Sequence, residues 1–91
     1  LLQLSNPNKN VRYFALKTLE AIGSDKAQFG VINLAQNEAD EEVRLKAVEI
    51  LRQFKTGPVF SAVQRLISDN KLAVRAKALE SALAQNDKRY A

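Results

Sequence analysis

The sequence predicts an all-α protein built from about three two-helix units, and two observations carry that prediction. The first is composition: Gly occurs 3 times, Pro occurs twice and aromatic residues make up 7% of the 91 residues, a balance that favours helices over sheets. The second is an internal repeat, because a Val-Arg pair recurs at intervals of 32 and then 31 residues, as Val11-Arg12, Val43-Arg44 and Val74-Arg75. Self-similarity at this period is typical of stacked helical units that bury their apolar stripes against one another.

The residues after each Val-Arg pair follow the spacing of one face of an amphipathic helix. An alanine lies four residues after each Val, and a larger apolar residue comes one position later; these residues are Ala15, Ala47 and Ala78, followed by Leu16, Val48 and Leu79. A small side chain lets a neighbouring helix approach closely. The pattern therefore predicts helices that pack tightly along these alanines.

Start and stop signals divide the chain into five helices. They are predicted at 9–22, 25–36, 41–54, 58–68 and 72–85. The first follows Asn6-Pro7-Asn8, and an Asn side chain accepts hydrogen bonds from the free N–H groups at a helix start. Gly23 is expected to end that helix, and Pro58 suits the first position of the fourth.

These helices form one array over residues 1–91, which we expect to belong to a longer protein. Units are predicted at about 1–23, 24–56 and 57–86, with Leu1, Leu2 and Leu4 as the end of an incomplete first helix and a polar tail at 87–91. Helical arrays need polar capping units. Both ends are therefore expected to expose apolar helix flanks, and the N-terminal leucines predict self-association.

Composition argues against catalysis. The chain contains no Cys and no His, which removes the thiol nucleophile, the disulfide, and the commonest general base and metal ligand. Its serines have no His to activate them, and no Gly-rich phosphate loop is present. Glu41 and Glu42 follow Asp40 directly, but they point to different sides of a helix and lack the spacing of a calcium loop. We therefore expect no enzyme activity, no cofactor and no metal.

Charge and hydropathy limit the classes of partner that we expect this chain to bind. The 14 basic and 10 acidic residues give a net charge of +4, and the two signs are interspersed, as on a solvated helical surface. The chain lacks the apolar run of about 18 residues that a membrane-spanning helix needs. It also lacks the features of a signal peptide, so we expect a cytoplasmic protein that does not bind membranes.

A polar turn, then Val-Arg, then Ala three residues after the Arg and then Leu resembles the HEAT-like repeat named after phycobilisome lyases. The resemblance covers essentially the whole chain. Its closest unit is 38–44, while Asn8 and Lys71 stand where the repeat has an acidic turn residue. The resemblance implies a right-handed α-α superhelix of the armadillo-like kind.

The resemblance also implies a structural ladder that ties successive units together. Its rungs would be Arg12, Arg44 and Arg75, with Asp40 as the best-matched acidic partner. A guanidinium can bridge a carboxylate and free backbone carbonyls at once. The alternative is a phosphate-binding row of arginines, which the neighbouring turn acids disfavour.

In arrays of this kind the second helix of each pair lines the concave surface, where partners bind. The candidate binding residues are therefore Tyr13, Lys17 and Glu20, then Lys46, Glu49 and Gln53, then Lys77, Glu80 and Ser81. Tyr13 is the sharpest single candidate, because an exposed Tyr can anchor an interface. The resulting expectation is a scaffold that binds another protein or further repeats of the same chain.

Two alternative functions remain open. Cationic residues on the same helices (Lys9, Lys17, Lys46, Arg52 and Lys77) would suit DNA or another nucleic acid. Against this, Glu20, Glu49 and Glu80 interrupt the row, and no aromatic stacking platform accompanies it. The second alternative, a subunit of a chromophore lyase, depends on the family's name alone.

Overall fold

The computed structural model describes residues 3–23 and 25–90, with side chains described as far as residue 84. The described residues contain no β-strand, so the predicted all-α class is confirmed. In chain order the elements are α1 (Lys9–Ile22), a 3-10 turn (Asp25–Ala27), α2 (Gln28–Asn37), α3 (Glu41–Leu51), α4 (Gly57–Leu66) and α5 (Leu72–Tyr90). Within the same residues, no helix is long and apolar enough to cross a membrane.

Local capping sets both ends of α1. The side chain of Asn8 accepts a hydrogen bond from the backbone N–H of Asn10 at 2.8 Å. At the other end, Gly23 adopts φ 71° and its N–H donates to the carbonyl of Leu19 at 2.8 Å. This backbone region costs glycine less than any other residue. The helix therefore starts and ends where the sequence predicts.

Three boundaries differ from the prediction by about three residues or more. A 3-10 turn precedes α2, and α3 ends at Leu51 rather than at residue 54. Phe54 is nevertheless buried in the core, so the apolar spacing that suggested a longer helix continues through a turn. α5 runs to Tyr90, because the polar residues after 85 do not interrupt a helix as Gly or Pro would.

Leu4 does not lie in the helix end that was predicted. Leu4 lies in a turn and packs against the core, while Leu1 and Leu2 are outside the described residues. A Cβ added to Gly30 would come within 2.7 Å of the Leu4 side chain. The glycine thus lets the segment before α1 lie directly on α2.

The helices pack in two layers. α3 contacts α1 on one side and α5 on the other, while α2 and α4 contact each other. Short turns join α2 to α3 and α4 to α5, and each joined pair also packs together. The exposed sides of α1, α3 and α5 therefore belong to a single layer.

Small residues allow α5 to approach α3 closely. Ala47 and Ala78 are fully buried, and the buried hydroxyl of Ser81 donates to the backbone carbonyl of Val48 at 3.2 Å. Ser81 was expected on the exposed side of α5, and that expectation is wrong. A hydroxyl that reaches a carbonyl of the neighbouring helix requires a short distance between the helices.

Replacing Ala47 with Leu tests this close packing. The larger side chain has no space, so we expect the free energy of unfolding to fall by about 1–3 kcal/mol through overpacking. Urea denaturation followed by circular dichroism measures the change. Ala21→Leu, at an exposed position of α1, is the matched control and should stay within about 0.5 kcal/mol of the parent. Equal effects of the two substitutions would contradict the packing described here.

Candidate functional site

Arg12 joins the start of α1 to the turn between α2 and α3. Its Nε and Nη2 donate to the two carboxylate oxygens of Glu38 at 2.8 and 2.6 Å. Its Nη1 donates to the backbone carbonyls of Asn6 and Pro7 at 2.8 and 3.0 Å. Both charged side chains are largely buried, and bidentate geometry of this kind is both strong and directional.

Arg44 makes the corresponding connection one unit later. Its Nη2 donates to the carboxylate of Asp69, in the turn between α4 and α5. Its Nε donates to the carbonyl of Ala35 at 2.8 Å, in the last turn of α2, where carbonyls have no partner within the helix. One side chain therefore links the ends of α2, α3 and α4.

Arg75 takes the third place in this series. Its Nη1 donates to the backbone carbonyl of Asp69 at 2.9 Å, much as Arg12 holds the carbonyls of its own turn. Within the described part of the chain, no carboxylate forms an ion pair with Arg75.

The expected pairing of Asp40 with an arginine is wrong. Asp40 caps α3 by accepting from the N–H of Val43 at 3.1 Å, and it pairs with Lys9 at 3.2 Å. The arginine partners are instead Glu38 and Asp69. The physical reason is position: a residue directly before the helix points along its own free N–H groups, whereas a residue two positions earlier lies in the turn beside the neighbouring unit.

A recurring polar residue marks the acceptor position in the sequence, although the Val-Arg pattern alone does not reveal it. The residue six positions before each ladder arginine is polar, and these residues are Asn6, Glu38 and Asp69. They therefore recur at the same intervals along the chain as the arginines. Each side chain accepts from the backbone N–H two residues later, at 2.8, 3.0 and 2.9 Å. This recurring hydrogen bond holds the polar side chain of each turn in a fixed position.

Hydrogen bonding lowers the pKa values of Glu38 and Asp69, the two carboxyls that pair with ladder arginines. The hydrogen bond from Arg12 lowers the pKa of Glu38, outweighing burial, which acts in the opposite direction. Burial would raise the pKa of Asp69, but hydrogen bonds from Arg44 and from the N–H of Lys71 lower it below the usual value. Both carboxyls are therefore held in the charged form.

A second ion pair crosses from α1 to α3. Lys46 Nζ lies 2.8 Å from the Glu20 carboxylate and 4.0 Å from that of Glu49, and its side chain is 14% exposed. The hydrogen bond with Glu20 raises the pKa of Lys46. Lys46 and Glu20 were predicted to contact a partner, but most of the ammonium group is already bound within the chain.

The remaining candidate residues differ in their exposure. Lys17 and Glu80 are exposed, and Lys77 lies 3.7 Å from Glu80. Gln53 is half-buried. Tyr13 is also half-buried and packs against the core, so the expectation of an exposed Tyr13 anchor is wrong.

Two open grooves of about 290 Å³ lie beside the turns of the ladder. Glu38 lines both, together with Arg44 in one and Arg12 in the other. Arg12 and Glu38 are paired with each other, and Arg44 is paired with Asp69. In addition, no group of three or more acidic residues among the described side chains could hold a metal ion.

No protein-family model matches this chain, and no curated protein matches it. The resemblance to the HEAT-like repeat therefore stays a prediction. The geometry itself offers two things: charged bridges that hold the helices in register, and a helical surface of mixed charge.

Arg44→Ala tests the ladder. It leaves the Asp69 carboxylate and the Ala35 carbonyl without their partner, so we expect a loss of about 1–3 kcal/mol in unfolding free energy, measured by urea denaturation. Arg44→Lys should recover little of it, because an ammonium cannot reproduce the planar fork. Arg52→Ala, at an exposed position, is the control. A loss in Arg52→Ala as large as in Arg44→Ala would argue against the ladder.

Stability should depend on acid pH through Glu38 and Asp69. Their pKa values are lower in the folded chain than the usual values near 4. The unfolded chain therefore binds more protons in this window, and the free energy of unfolding falls as the pH falls through the folded-state values. We expect a melting temperature that is nearly flat above about pH 5.5 and declines below about pH 4.5.

Thermal melts of two variants test whether the loss of stability at acid pH comes from the ladder carboxyl Glu38. Glu38→Gln should lower stability at pH 7 and flatten part of the acid slope. Glu41→Gln removes an exposed carboxylate from the start of α3 and should retain most of the slope. The assignment to the ladder would be wrong if Glu38→Gln kept the full slope.

Proposed function

We propose that this chain is a non-catalytic scaffold of the HEAT-like kind that binds a protein partner along the exposed side of α1, α3 and α5. The observation that carries the proposal is the single layer formed by these three helices. Accessible side chains of this layer include Lys17 on α1 and Lys77 and Glu80 on α5, the two helices that flank α3. A continuous surface of this kind can contact a partner over several helices at once.

The helix contacts favour a superhelical array of two-helix units, which we propose to be right-handed. α1, α3 and α5 succeed one another in one layer and α2 and α4 in the other. The Arg12–Glu38 and Arg44–Asp69 bridges repeat along the same direction. Such an array can be extended by further units without changing its internal contacts.

Charge cancellation favours a protein partner over nucleic acid. Lys46 is mostly buried against Glu20, and Lys77 lies close to Glu80. These pairs reduce the positive potential of the row, whereas nucleic-acid binding requires several lysines or arginines to be free for phosphates. The mixed surface suits a partner that itself carries charges of both signs.

The non-catalytic part of the proposal rests on chemistry. The sequence supplies no His and no Cys, and the one buried hydroxyl among the described side chains, that of Ser81, is bonded to a backbone carbonyl. Glu38, the carboxylate that lines both grooves, is paired with Arg12. A reaction would need a free base or nucleophile, and a scaffold does not.

Crosslinking in a native lysate treated with nuclease tests the proposal. The experiment compares two matched charge-reversal variants. Lys17→Glu changes an exposed residue of α1, while Lys55→Glu changes an exposed residue of the loop between α3 and α4. Both variants should fold with the parent's melting temperature. We expect a protein partner whose recovery falls with Lys17→Glu and not with Lys55→Glu.

The alternative outcomes are distinct. Recovery that disappears on nuclease treatment would indicate nucleic-acid binding, and its affinity should then decline steeply with salt. Equal loss in both variants would place the partner outside the proposed surface. A partner that crosslinks through α2 or α4 alone would also overturn the proposal.

A further inference from the structure

The side of α5 that carries Leu79 differs from the matching sides of α1 and α3. Leu16 on α1 and Val48 on α3 are fully buried, and a following helix packs against each of these two helices. Leu79 occupies the same position of the sequence repeat on α5, yet it is 51% exposed. The side of α5 that corresponds to a junction between units is therefore open.

Leu79 belongs to an apolar stripe along that side. Leu72 and Leu83 are 72% and 58% exposed, and they lie seven residues before and four residues after Leu79. This spacing places the three leucines on one face of a helix. Arg75, three residues after Leu72, lies on the same face and is the ladder arginine without an acidic partner in the described chain.

The opposite end of the molecule presents a second apolar side. Phe14 and Ile22 on α1 are 70% and 62% exposed. Their counterparts 32 residues later are Lys46, which reaches back to Glu20 on α1, and Phe54, which is buried in the core. Phe14 and Ile22 thus occupy positions that, one unit later, are covered by the chain itself.

These two apolar sides match in register. Inside the chain, Glu20 on one helix meets Lys46 on the next at 2.8 Å. The counterpart of Glu20 on α5 is Leu83, and the counterpart of Lys46 on α1 is Phe14. If α1 of another copy followed α5 as α3 follows α1, the internal ion pair would be replaced by a contact between two exposed apolar side chains.

We propose that a second copy of this chain docks head to tail on α5, with its α1 against Leu72, Leu79 and Leu83. Burial of these side chains with Phe14 and Ile22 drives the association. Charged residues at the same positions of the internal junction are replaced by apolar ones at both ends, so the ends complement each other. The association does not depend on the partner surface proposed above.

Arg75 extends the ladder across this junction. Arg12 and Arg44 each donate to the side chain six residues before the next ladder arginine. In the docked copy that position is Asn6, whose side-chain oxygen already accepts from the N–H of Asn8 at 2.8 Å. Glu38 shares one oxygen between a backbone N–H and an arginine in the same way.

The geometry also sets the form of the assembly. The two docking sides are different surfaces at opposite ends of the molecule, so each junction leaves one open side at each end. Contacts of this heterologous kind generate growing chains unless the rotation closes a ring. The average mass should therefore rise with concentration beyond that of a dimer.

Sedimentation velocity on single-side variants tests the proposal. Phe14→Glu blocks one side and Leu83→Glu the other, so each variant alone should stay monomeric, with association weakened at least about tenfold. An equimolar mixture should form a 1:1 dimer and nothing larger, because each copy keeps one intact side. Both substituted residues are exposed, and circular dichroism checks that the helices are retained.

Two further variants test the location of the docking sides and the role of Arg75. Phe29→Glu alters a side chain of α2 that is as exposed as Phe14 and lies on neither docking side, so it should associate like the parent. Asn6→Asp supplies the carboxylate that Arg75 lacks and should tighten the association severalfold, an effect that salt reduces.

Three results would overturn the proposal. The parent chain could remain monomeric at the highest concentration reached. Phe14→Glu could form the same dimer as the parent, which would indicate a symmetric contact between α5 helices. The mixture of the two single-side variants could stay monomeric although both are folded.

Discussion

The guanidinium of Arg12 ties three pieces of chain together: the turn before α1, the start of α1 and the turn between α2 and α3. Arg44 does the same one unit later. Each bridge replaces water around carbonyls and carboxylates that lie at helix ends, where the backbone cannot satisfy them. Successive helix pairs are thereby held in a fixed register, and the positions of the surface residues follow from it.

Close packing and charged bridges act on the same helices. Alanines at 47 and 78 bring the helices close enough for the Ser81 hydroxyl to reach the Val48 carbonyl. The core also contains larger side chains such as Leu16, Ile50 and Phe54, and the directional bonds at the turns add specificity that apolar packing alone does not supply. The depressed pKa values of Glu38 and Asp69 follow from the same bonds.

The ladder and the Glu20–Lys46 pair also limit what the surface can do. Charges committed to internal bridges are less available to a ligand, as for Lys46 beside Glu20 and Lys77 beside Glu80. Two kinds of contact remain: the mixed outer side of α1, α3 and α5, proposed for a protein partner, and the apolar ends proposed for a second copy. The first is polar and the second is apolar, so they should respond differently to salt.

The helical class, most helix boundaries and the buried alanine series could be predicted from the residue order, because these depend on local spacing and capping groups. The same spacing predicts arginines at the helix starts. Only the folded arrangement shows that Glu38 and Asp69, rather than Asp40, pair with Arg12 and Arg44, that Ser81 is buried, and that Tyr13 and Lys46 are half-buried. Those outcomes depend on which side chain of a neighbouring helix lies within reach, a distance that spacing along the chain does not specify.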